Sequence, residues 1–92
     1  MYSEKECKKI GKKIEGAIHG RFGWKIKFAV RPNGSFSWRK VSGRDRYDLY
    51  PGMSKQQADN AVIAEIQAII NSHLPGSRIT DYQQSGRMHY IR

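Results

Sequence analysis

Lys25 and Lys27 alternate with Trp24, Ile26, Phe28 and Val30, and Arg31 continues their side of the run. Strict alternation marks a half-buried strand, so one face of this segment is apolar and the other cationic. Arg39 falls on the polar face of the next run, where Phe36 and Trp38 alternate with Ser37 and Arg39. Upstream, Lys8, Lys9, Lys12 and Lys13 crowd a segment with helical spacing. The chemistry open to these residues is phosphate neutralisation: each cation on a common surface releases a counterion, and the gains add. A solvated basic face has the same composition, and charge alone does not separate the two. Trp24, Phe36 and Trp38 are able to stack on bases, but their alternation reads as core.

Other chemistries find no footing. His19, His73, His89 and the single cysteine, Cys7, contain no pair at metal-ligand spacing, so no metal site is expected. Glu15, Asp45, Asp48, Asp59, Glu65 and Asp81 are scattered beside basic residues, and nothing singles out a catalytic pair. Asn33-Gly34-Ser35 is a turn and not a nucleophile elbow. The glycines are not followed by the Gly-Lys-Ser/Thr of a phosphate loop. The expectation is a binding protein without enzymatic activity, cofactor or small-molecule substrate.

Charge distribution sharpens this. The chain has 92 residues and a net charge of +9. Residues 1–46 hold 13 of the 17 Lys and Arg against four acids, whereas residues 47–92 are neutral overall. An excess confined to one half points to a polyanionic partner. The length implies one domain over residues 1–92, which buries about two thirds of its unfolded surface. With one cysteine no internal disulfide forms, and the first residues lack the apolar stretch of a signal peptide. No run of apolar residues is long enough to span a membrane. Cytoplasmic location is therefore the expectation, with no membrane partner.

These residues must be positioned by a small set of elements. Ser3 and Glu6 form a capping-box pattern before a helix over residues 3–18, with Gly16 and Gly20 offering its stop. Gly11 inside that helix costs about 1 kcal/mol relative to Ala, and close backbone packing is one reason to keep it. Strands are expected at 24–31 and 35–41, joined by the Pro32-Asn33-Gly34 turn. A third strand is read at 45–50. Ser54 and Gln57 cap a second helix running to about Leu74, with Ala58, Val62, Ile66 and Ile70 on its apolar face. Pro75-Gly76 stops it, and a closing strand is read at 87–91. The expected fold is α+β: a two-layer sandwich, an antiparallel sheet of about four strands with two helices on one face, in the order α-β-β-β-α-β.

The stretch Gly52-Met53-Ser54-Lys55-Gln56-Gln57-Ala58-Asp59-Asn60-Ala61 resembles the start of the second helix in double-stranded-RNA-binding domains. That resemblance implies a free-standing nucleic-acid-binding module in which Lys55 reaches a phosphate. Gln56 and Gln57 stand where the family has further cations, and residues 75–92 have no counterpart in it.

Over the whole chain, from Met1-Tyr2-Ser3-Glu4-Lys5-Glu6-Cys7 through Phe22-Gly23-Trp24, the sequence resembles small phage-encoded anti-CRISPR proteins of the kind that inhibit type I-F surveillance complexes. These inhibitors share no common motif, so no contact residue is carried over. The resemblance implies a stoichiometric inhibitor in the host bacterial cytoplasm. It would bind the complex of CRISPR proteins with guide RNA and block target DNA hybridisation or cleavage. A basic surface would then face guide RNA or acidic protein patches. The candidate contacts are Lys8, Lys9, Lys12, Lys13, Lys25, Lys27, Arg31 and Arg39.

Overall fold

The structure, a computed structural model, describes residues 1–77. Helix α1 (Glu4–Phe22) opens on the expected capping box. The Ser3 hydroxyl accepts from the Glu6 N–H at 3.1 Å, and the Glu6 carboxylate accepts from the Ser3 N–H at 2.8 Å. The helix does not stop at Gly16 or Gly20. It continues to Gly23, whose φ of 74° is a left-handed C-cap that glycine adopts without a Cβ penalty. The extra turn is held by burial: Phe22 is buried and stacks on Trp24 with ring centroids 4.9 Å apart.

Strands β1 (Lys25–Val30) and β2 (Phe36–Ser42) pair antiparallel through a hairpin. Lys27 lies opposite Arg39, Phe28 opposite Trp38, and Ala29 opposite Ser37. At the turn, Asn33 Oδ1 accepts from the Ser35 N–H at 3.0 Å while Gly34 takes φ 86°. This local side-chain bond and positive φ are what a tight reversal needs.

The third strand expected at 45–50 is not formed. Arg46–Leu49 is a short 3-10 helix. Asp45 caps it, accepting from the Tyr47 N–H at 2.8 Å. An extended strand is not kept here because Arg46 is buried and turned onto Asp59 of the second helix. The described residues therefore run helix, strand, strand, 3-10 helix, helix. The closing strand read at 87–91 lies outside them.

Helix α2 (Lys55–His73) carries the second capping box, Ser54 with Gln57. Leu74 ends it, its N–H bonding Ile70 O at 2.7 Å. The α+β class holds, with two helices and a two-stranded antiparallel sheet among the described residues. One cluster joins Ile14 and Ile18 of α1, the inner side chains Ile26, Phe28, Phe36 and Trp38 of the hairpin, and Val62, Ile66 and Ile70 of α2. Each such side chain stabilises the fold by about 1.5–3 kcal/mol when fully buried. The outer face of the hairpin, with Lys25, Lys27, Ala29 and Arg39, is exposed.

Candidate nucleic-acid interface

Gly11 sets the distance between α1 and the hairpin. A Cβ at this position would lie 2.8 Å from the carbonyl oxygen of Phe28. The helix thus approaches the backbone of β1 as only glycine allows. One turn on, Glu15 Oε2 accepts from the Phe28 N–H at 2.9 Å. Phe28 therefore turns its backbone groups away from β2, and α1 covers this edge of the hairpin. An uncovered edge would offer those groups to another strand.

Lying along the strand edge, α1 walls one side of an open groove of about 710 Å³. Lys8, Lys12 and Glu15 line it from the helix, because positions four and seven residues on share one side of a helix. Lys27, Ala29, Ser37 and Arg39 line it from the outer face of the hairpin. Lys27 and Arg39 are partners in the register, so their side chains rise together from one face. Among the described residues the ion pairs are Arg21–Glu65 and Arg46–Asp59, and the four groove cations enter neither.

The structure brings together four of the eight predicted contacts: Lys8, Lys12, Lys27 and Arg39. Arg31 borders them, donating to Ser37 Oγ at 3.4 Å. Lys25 is exposed at the far end of β1, opposite Ser42, and does not line the groove. Lys9 and Lys13 are also exposed but do not line it. At 100° per residue they project to a different side of α1 from Lys8 and Lys12. Trp24, Phe36 and Trp38 belong to the core, as their alternation indicated. Glu15 was missed as a groove residue. Its spacing from Lys8 and Lys12 was the available signal, but its nearness to the hairpin was not readable from the chain.

Elsewhere, polar clusters tie the elements together. Glu65 on α2 accepts from Arg21 Nε at 2.6 Å and Arg21 Nη2 at 2.9 Å, and also from the Tyr50 hydroxyl. Burial, reinforced by the hydrogen bond to Glu65, pushes Tyr50 up to about 12. Burial pushes Glu65 upward, but the bonds from Tyr50 and Arg21 outweigh it and hold the carboxyl below its ordinary range. Arg46 donates to Asp59 at 2.6 Å and to the Tyr47 hydroxyl at 2.8 Å. Lys40 lies over the Trp24 ring at 4.4 Å, and burial lowers its ammonium from the usual lysine value. Lys55 is 5.5 Å from the Tyr47 ring, well separated in sequence from the groove cations.

Among the described residues, no three His, Cys, Asp or Glu side chains converge on a metal position. No described helix is long and apolar enough to cross a membrane. No protein family, no curated protein and no solved structure matches this chain.

Proposed function

We propose that the chain is a non-enzymatic phage inhibitor that binds a type I-F CRISPR RNA-guided surveillance complex and blocks target DNA hybridisation or cleavage. In this reading the groove between α1 and the hairpin engages guide RNA. The observation that carries the RNA contact is the convergence of Lys8, Lys12, Lys27 and Arg39 without a carboxylate partner among the described residues. Such unpaired cations on one concave surface suit a chain of phosphates. The resemblance to type I-F inhibitors supplies the identity of the nucleoprotein. The absence of catalysis is supported by the carboxylates' structural duties: Asp59 holds Arg46, Glu65 holds Arg21 and Tyr50, and Glu15 holds the Phe28 amide.

The test is a reconstituted surveillance complex with labelled target DNA. Stoichiometric wild-type protein should abolish target binding or cleavage, and the double charge reversal Lys27→Glu/Arg39→Glu should restore it at unchanged melting temperature. Full inhibition by that variant would remove the groove from the mechanism. No association of wild-type protein with the complex, together with micromolar binding to naked duplex RNA, would favour the free-standing module and its Lys55 instead.

A further inference from the structure

Glu15 is the carboxylate among the residues that line the groove. A site that only neutralises phosphate gains nothing from it, since a carboxylate repels phosphate and accepts hydrogen bonds without donating any. Oε2 takes the Phe28 N–H at 2.9 Å, but each carboxylate oxygen can accept more than one bond. The ligand that fits therefore offers anions to Lys8, Lys12, Lys27 and Arg39 and a donor to Glu15. A DNA backbone has no such donor. An RNA backbone carries a 2′-hydroxyl on every sugar, which both donates and accepts.

The floor supplies a second constraint. Ala29 and Ser37 face each other across the hairpin on its outer side, and the aromatic residues that border the groove, Phe28 and Trp38, are buried, at 7% and 5% exposure. Rings so little exposed give bases little surface to stack on, which favours the sugar–phosphate side of a strand toward the floor. A volume of about 710 Å³ is that of a pocket for a small molecule and holds a short stretch of one strand.

We infer that the groove takes single-stranded RNA by its backbone, and that Glu15 selects RNA over DNA by accepting a hydrogen bond from a 2′-hydroxyl. The inference rests on the groove being the nucleic-acid contact proposed above. Sequence of the bound strand has little influence, because the groove reads sugar and phosphate.

The experiment compares twelve-nucleotide RNA, DNA and 2′-O-methyl RNA of one sequence, binding to the wild-type chain at low salt. RNA should bind about tenfold more tightly than DNA, the ratio expected for one hydrogen bond to an ionised group. The 2′-O-methyl strand keeps the oxygen but loses the donated proton, so it should bind like DNA. Glu15→Gln retains a carbonyl for the Phe28 N–H and should bring RNA and DNA to equal affinity. Equal binding of all three strands by the wild type overturns the selection while leaving the groove as a contact. An RNA preference that survives in Glu15→Gln overturns the role of Glu15. If no strand binds, the RNA inference fails outright, while inhibition of the surveillance complex is read in its own assay. The methylated strand needs no protein variant, so the outcome does not depend on how Glu15→Gln folds.

Discussion

Asp59 and Arg46 show how a residue's role depends on what folds beside it. In the chain, Arg46 is one cation among many and Asp59 one acid on a helix. In the fold they form a buried pair at 2.6 Å, and Arg46 also donates to the Tyr47 hydroxyl. Removing one partner of a buried pair strands the other charge away from water, at about 3–5 kcal/mol. Asp59→Ala should therefore lower unfolding stability by about that amount in urea titrations. A loss below about 1 kcal/mol would mean that the arginine escapes to solvent. The pair was illegible because its members are 13 positions apart and the local pattern over 45–50 reads as a strand, which gives no sign of a contact with the second helix. By contrast, the groove cations Lys27 and Arg39 were legible, since strand period 2 alone put them on a polar face.

At the scale of elements, glycine has opposite meanings along α1. Gly11 is pressed against Phe28 O, whereas Gly16 has nothing within 4 Å of where a Cβ would stand. Gly16→Ala should stabilise the protein by about 0.5–1 kcal/mol, raising the melting temperature by several degrees. Gly11→Ala should lower it despite the same gain in helix propensity, because a 2.8 Å contact with backbone forces the helix away from the strand. Thermal melts of the two variants decide this, and equal shifts would refute the close approach. Both helices and both strands were readable from capping boxes and apolar periodicity. The end of α1 was not, because burial of Phe22 outweighs the preference of Gly16 and Gly20 to stop it.

For the whole molecule, Arg21, Tyr50 and Glu65 link α1, the segment after the 3-10 helix, and α2. Their linkage predicts stability at both ends of the pH scale. Tyr50 is raised to about 12, so the folded state keeps its proton when the unfolded chain has begun to lose it at about 10. That contribution is complete below pH 10 and disappears as pH rises toward 12. Glu65 is lowered from 4.5, so its contribution is present above that value and is lost as pH falls through its folded value. Urea midpoints measured against pH should decline on both flanks. Tyr50→Phe should flatten the alkaline flank, and Glu65→Gln should flatten the acid one. Flanks that do not change in these variants would assign the dependence to other groups.

The hydrogen bond from Phe28 to Glu15 makes the groove observable without a label. A strand amide normally exchanges with solvent when its sheet frays, but this one is protected by a side chain on a different element. Its exchange rate reports the seating of α1 on the hairpin edge. A ligand that draws Glu15 toward itself should speed exchange at Phe28 while leaving the amides shared by β1 and β2 unchanged. A single backbone proton would then serve as an occupancy gauge, readable by nuclear magnetic resonance in the intact chain.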